Sequence, residues 1–290
     1  MNLSRRNFLE TAAALPLLGA LPADKYKLGY ATITWGSHLD QAFDDISAAG
    51  FTGIQFRSPE FDTYKDRPAA FQEMLAARKL VCVAMSSGTV NLDAAKRKEY
   101  IDRSVEHAKF LKKIGAPYMQ LLDSVAPAEG AHKALADLLN EIGARVAGEG
   151  VALGYHNHMN SLSEKPDDCR RLLDALNGGK CRLILDTGHL KQGGSDPVKI
   201  FADYGGHLLF PHFKDHYAGP PKKVAQSGGR ERDVWFCELG LGDVDFPGVI
   251  AQMNKHGYRG WIVVELDVYI KTRTERESAE LSMKYLRANL

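Results

Sequence analysis

Four apolar runs in the second half of the chain each carry, towards their C-terminal ends, side chains that can bind a divalent ion. They are VALGYHNH (151–158), RLILDTGH (182–189), LLFPHFKD (208–215) and WIVVELD (261–267). Imidazole nitrogens and carboxylate oxygens together suit ions such as Mn²⁺, Co²⁺, Zn²⁺ or Mg²⁺. His156, Asp186, His212 and Glu265 supply one such donor per run. A lone polar residue where a strand meets a loop carries little information. Four of them in successive runs point to one site holding one divalent ion. Runs this apolar are typical of strands buried on both faces. In a closed parallel barrel all strands point the same way, so their C-terminal ends share a rim.

Further candidates come from the same reading. His156 and His158 share parity along their strand, so both can face the rim. His158, one step farther out, is placed to touch a substrate. Lys214 has the parity of His212 and can bring an ammonium to an anionic oxygen. Earlier strand ends offer Trp35 as a stacking face for substrate, with Gln55, Arg57 and Gln120 as polar contacts; Ser86, Ser87 and Asp123 also lie at strand ends. Arg230, Glu231 and Arg232 read as solvated.

The elements that must position these residues alternate regularly. Strands are expected at Leu28–Trp35, Gly53–Arg57, Leu80–Ser86 and Pro117–Asp123, ahead of the four runs above. Helices are expected at Leu39–Ala49, Ala69–Arg78, Asn91–Ile114, Ala131–Gly148, Asp167–Leu176, Pro197–Tyr204, Pro247–His256 and Arg273–Asn289. Gly50 and Gly115 follow two of them as C-cap signals. Eight strand–helix units imply an α/β fold, a closed (β/α)8 TIM barrel, and 290 residues suit one such domain of about 250 residues. The longest irregular stretch, Ala218–Leu239, follows the seventh strand and reads as a lid or substrate loop.

Composition narrows the partners. The 37 Lys and Arg balance 36 Asp and Glu, and a net charge of +1 gives no pull towards nucleic acid. Cys82, Cys169, Cys181 and Cys237 lack C-x-x-C spacing and read as small buried residues, with one disulfide left open. Residues 1–23 read as a leader preceding a barrel domain at 24–290. Ser4-Arg5-Arg6-Asn7-Phe8-Leu9 has the twin-arginine pattern, and the apolar stretch Thr11–Pro22 is too short for a stable membrane span. Export of the folded protein to the periplasm is the expectation. The sequence is compatible with a homo-oligomer and does not specify one.

These residues together carry a resemblance. Leu185-Asp186-Thr187-Gly188-His189, His212-Phe213-Lys214-Asp215, Gly240-Leu241-Gly242-Asp243-Val244-Asp245-Phe246 and Val264-Glu265-Leu266 resemble the xylose-isomerase-like barrel superfamily. The likeness spans about residues 26–290. It implies that Asp186, His212 and Glu265 are metal ligands, with His189 three residues beyond the first. It also implies a sugar, keto-sugar or cyclitol substrate, activated by proton abstraction next to a carbonyl.

One position departs from the commonest pattern. Isomerases and epimerases of the superfamily usually carry Glu six residues after the Gly that opens the fifth strand. Counting from Gly150, that position is His156, and Tyr155-His156-Asn157-His158 resembles the dehydratase-like branches instead. A metal-bound imidazole cannot act as a base, so Glu265 becomes the main candidate base. His158 or His189 is then the proton donor. The expected function is a metal-dependent sugar isomerase or epimerase, with a lyase or dehydratase as the close alternative. A metal-free sugar-binding protein and a nuclease are remoter alternatives.

Overall fold

The computed structural model describes residues 25–225 and 231–290. The expected leader at 1–23, and Arg230, lie outside these residues. Eight parallel strands form the barrel: Tyr26–Ala31, Gly53–Arg57, Val81–Val90, Tyr118–Asp123, Ala152–His156, Cys181–Ile184, His212–Phe213 and Gly260–Val264. Around the sheet they run sixth, fifth, fourth, third, second, first, eighth, seventh. Parallel bridges at Leu183–Leu208 and Asp186–His212 join the two ends, so the ring closes. The TIM barrel is thus the observed fold.

The helices follow from amphipathic stretches packed on the outside. Leu39–Ala49 buries Leu39, Ala42, Phe43 and Ile46 and stops at Gly50, whose φ of 95° is left-handed. Arg97–Ile114 ends in the same way at Gly115, φ 75°. Most core side chains lie between this helical layer and the sheet. A smaller cluster of Ala31, Ala84, Ile184, Phe210 and Val263 fills the barrel interior. Three of its members have the strand parity of the polar residues above them: Ile184 precedes Asp186 by two, Phe210 precedes His212, and Val263 precedes Glu265. The site therefore stands on an apolar floor.

Several boundaries differ from expectation. The first strand ends at Ala31, and Thr32–Trp35 is a 3-10 turn. The third strand runs on to Val90, and the following helix begins only at Arg97 after a 3-10 turn at Ala94–Lys96. Two helices escape the sequence pattern, Ser58–Tyr64 and Thr187–Gly193, because seven residues are too few to show a helical repeat. The stretch after the seventh strand is less irregular than expected. Asp215–His216 pairs with Phe236–Cys237, and Lys222–Ala225 pairs with Glu231–Val234, both antiparallel. All four cysteines are buried and free.

Candidate active site

His156 ends the fifth strand, with both faces of its ring enclosed. Asp186 follows the sixth strand and caps the helix Thr187–Gly193: its Oδ1 accepts the His189 backbone N–H at 2.9 Å. A capping carboxylate reaches the backbone amide three residues on, so this bond ties Asp186 to the turn that carries His189. Asn157 locks the same turn. It receives the Asp186 N–H at 2.9 Å and donates to the Asp186 carbonyl at 3.2 Å. His212 lies in the short seventh strand and Glu265 just beyond the eighth.

Donor atoms of these four residues all lie within 4.8 Å of one another. Donors on opposite sides of an ion at about 2.1 Å would be about 4.2 Å apart, so the spacing suits a small divalent cation. Both ring nitrogens of His156, Asp186 Oδ2, His212 Nδ1 and Glu265 Oε2 are buried without a hydrogen-bond partner. Orphaned buried donors and acceptors are costly, and four converging ones, one from each residue, call for a shared partner. His212 sharpens the case. Its Nε2 meets the Gln55 amide oxygen at 2.8 Å, and that oxygen can only accept. In neutral His212 the Nδ1 therefore carries a lone pair, aimed at Glu265 Oε2 and Asp186 Oδ2, the latter 3.7 Å away. Three acceptors cannot face each other there unless a proton or a cation lies between them.

Electrostatics agree. Burial works to lower the His212 pKa, but Glu265 and Asp186 outweigh it and raise the value. Burial works to raise the carboxyls of Asp186 and Glu265, but Lys214 and the histidines hold both below the usual range. His156 and His189 stay neutral, pushed down first by burial and then by neighbouring cations. The Lys214 ammonium, fully buried, sits 3.5 Å from Asp186 Oδ2, 3.7 Å from Glu265 Oε1 and 3.5 Å from Asp267 Oδ1. Burial opposes its charge, but these carboxylates raise its pKa. Three carboxylates outnumber the one ammonium, and a divalent ion would offset the excess negative charge.

His189 and His158 stand beside this centre. Their rings are 3.9 Å apart, centroid to centroid, and tilted by 46°. Lys214 Nζ lies 3.0 Å from His189 Nε2, and His158 Nδ1 lies 2.6 Å from the Met159 carbonyl. That carbonyl can only accept, so His158 bears its proton on Nδ1 when neutral. His156, His158 and His189 also have donor atoms within 4.8 Å of each other. This second group shares His156 with the first, and the Lys214 ammonium at His189 opposes a second cation.

The remaining candidates separate. Gln55 and Gln120 are buried, and their amides form a chain: Gln55 Nε2 donates to Gln120 Oε1 at 2.7 Å, and Gln120 Nε2 to Ser86 Oγ at 3.3 Å. They brace His212 rather than present free amides to substrate, which corrects the sequence reading. Trp35 is corrected too. Its ring is 4% exposed, packs edge-on to Tyr30 and donates its N–H to Asp45 at 2.8 Å, so no open face is offered. Arg57 lies at the rim, bonded to Gly36 O and Glu60, with its side chain one-third exposed. Lys214 is at the centre, as its parity suggests.

Residues missed by sequence reasoning complete the site. Asp267 pairs with Lys214, and strand parity from Glu265 could have found it. Phe236 returns from the antiparallel arm, 4.9 Å from His189 and 4.8 Å from Lys214 Nζ. Thr187 Oγ1 accepts the Lys214 N–H at 3.0 Å and donates to its carbonyl at 2.8 Å. Asp215 accepts four backbone N–H groups, from His216, Gly240, Gly242 and Val244, and so fastens the Gly240–Phe246 turn.

A family model described as xylose isomerase-like TIM barrel matches residues 43–289. The chain belongs to that family. Among its relatives, an inosose dehydratase of Clostridium beijerinckii is 25% identical over 299 positions, covering 92% of this chain and 98% of the relative. Among solved structures, the IOLI protein with a zinc atom superposes with a TM-score of 0.71 at 20% identity, covering 90% of this chain and 97% of that one. A sugar phosphate isomerase/epimerase of Parabacteroides distasonis gives a TM-score of 0.70 at 20% identity, covering 93% and 96%. Family membership makes this chain one of the sugar-modifying barrel enzymes. No described helix is long and apolar enough to cross a membrane.

Proposed function

We propose that this protein is a divalent-metal-dependent dehydratase that removes water from a keto-polyol, a keto-sugar or cyclitol. The observation that carries the reading is His156. Where a two-carboxylate epimerase would place a second base, this centre has a buried imidazole with no hydrogen-bond partner, one nitrogen of which lies among the other ligands. The inosose dehydratases among its relatives support the same reading.

His156, Asp186, His212 and Glu265 would hold the ion, which supplies Lewis-acid polarisation of the substrate carbonyl. Glu265 directs Oε2 towards His212 and Oε1 towards Lys214, so its two oxygens can serve different partners. As a carboxylate it removes the proton from the carbon next to the carbonyl. His158, tilted against His189 beside the centre, would pass a proton from solvent through its Nε2 to the hydroxyl leaving the next carbon. The products are water and a carbon–carbon double bond conjugated with the carbonyl. Lys214 keeps a positive charge beside the reacting oxygens and holds His189 in place.

Isomerisation or epimerisation, the expectation from the motifs, is the second reading. It is favoured by the one carboxylate, Glu265, that faces the centre with a second oxygen available, since a proton shift on one face needs a single base. Metal analysis followed by ¹H NMR in D₂O, over keto-sugars and keto-cyclitols, separates the two. Loss of a hydroxyl with a new vinyl signal supports the dehydratase. Deuterium uptake beside the carbonyl without water loss from any substrate overturns it in favour of the isomerase. Glu265→Gln is expected to weaken metal binding and abolish either reaction; full metal occupancy and normal turnover in that variant would remove both readings.

A further inference from the structure

A cleft of about 540 Å³ opens over the ends of the first and eighth strands, lined by Thr34, Trp35, Ser37, His38, Gln41 and Asp267 among others. We propose that it is the subsite for the remote hydroxyl groups of a neutral polyol, and that it rejects phosphorylated sugars. This rests on the dehydratase reading for its connection to catalysis, but not for the binding it predicts.

Contiguity comes first. Asp267 lines the cleft and shares the Lys214 ammonium with Glu265 and Asp186, each carboxylate within 3.7 Å of Nζ. One side chain thus spans the gap between cleft and metal ligands. A six-carbon polyol reaching the centre with its carbonyl carries hydroxyls at the far end that need partners.

The chemistry of the lining selects those partners. Asp267 Oδ1 turns in towards Lys214 and is shielded from solvent, while the side chain as a whole is 17% exposed, which leaves the other carboxylate oxygen for the cleft. An ionised carboxylate only accepts, so it recognises a donor such as a hydroxyl. Thr34, Ser37, His38 and Gln41 add polar groups around it, while Ile33 adds an apolar edge. A mixed wall of this kind suits a ring or chain with hydroxyls on an apolar skeleton.

Charge then excludes anions. Lys271 lies on the cleft but pairs with Glu275 at 2.9 Å, and Lys214 is surrounded by three carboxylates. Asp267 and Glu275 would repel a phosphate, and the lining holds no arginine to receive one.

The test is binding to the metal-loaded protein, read by calorimetry and saturation-transfer NMR. The probes are D-fructose, myo-inositol and D-fructose 6-phosphate. At least one neutral probe is expected to bind, and the phosphate to bind about tenfold more weakly or not at all. Asp267→Asn, nearly isosteric, should weaken the neutral probe about tenfold, the effect of losing a charged acceptor. Ser37→Trp, at an exposed rim position, should block the cleft without touching the metal ligands. The inference is overturned if neither neutral probe binds, if Asp267→Asn binds like the parent protein, or if the phosphate binds equally well. Asp267-dependent binding, with no water lost from any keto-sugar or keto-cyclitol of the NMR panel, would sink the dehydratase reading alone.

Discussion

Lys214→Met should destabilise the metal-free protein far more than the metal-loaded one. Methionine keeps most of the buried stem and removes only the ammonium. That ammonium lies 3.5 Å from Asp186 and from Asp267 and 3.7 Å from Glu265, with no solvent access. At an effective dielectric of about 20, one such pair is worth roughly 5 kcal/mol before desolvation. Removing one partner of a buried ion pair costs about 3–5 kcal/mol, because the remaining charge is left uncompensated. Without metal the variant would leave three carboxylates facing only His212. With a divalent ion bound, most of that charge is already balanced, and the cost drops to about 1 kcal/mol for the lost contact to His189. For a domain of this size about 1 kcal/mol shifts Tm by roughly 2–4 °C, so the expected drops are about 6–20 °C without metal and about 2–4 °C with it. Scanning calorimetry of both proteins, with chelator and with Mn²⁺, measures this. Equal drops under the two conditions would refute the electrostatic account of the centre, and so would no drop in chelator.

Gly188→Ala should reproduce part of that pattern, because an added Cβ would lie 2.6 Å from Lys214 Cγ and 2.9 Å from Cδ. The overpacking cost is about 1–3 kcal/mol, and a crystal structure should show Nζ displaced from Asp186; an undisturbed lysine would count against the packing argument. His107 gives a pH prediction. It is buried against Phe61, and burial followed by Arg103 lowers its pKa from 6.5 to about 4. The unfolded chain therefore binds this proton more readily, and stability present above pH 6.5 falls by up to about 3 kcal/mol as pH drops towards 4. Urea midpoints of His107→Phe should lose that portion of the acid decline, and an unchanged decline would exclude His107 as its source. Replacing Arg5 and Arg6 by lysine should leave unprocessed protein in the cytoplasm, with periplasmic yield as the readout; unchanged yield would show that the pair is not an export signal.

The barrel and its four converging donors were legible in the chain because both depend on local pattern. Alternating strand and helix stretches imply a parallel sheet, and the period of two along each strand places Asp186 above Ile184, His212 above Phe210 and Glu265 above Val263 on one wall. Parity also put Lys214 on that wall. What parity cannot supply is distance across the barrel. Gln55 and Gln120 point inward just as ligands do, yet one braces His212 and the other braces Gln55, because the nearest groups belong to strands far away in sequence. Trp35 reads as a stacking surface until the 3-10 turn rolls it under the rim towards Asp45. The Asp-x-x-His spacing signals two functional residues, but only the helix starting at Thr187 turns Asp186 into cap and ligand candidate at once. The sequence thus determined which residue types line the rim, since backbone periodicity is set locally. The tertiary structure decided which of them face each other, since charge compensation and hydrogen bonding depend on contacts that no local pattern encodes.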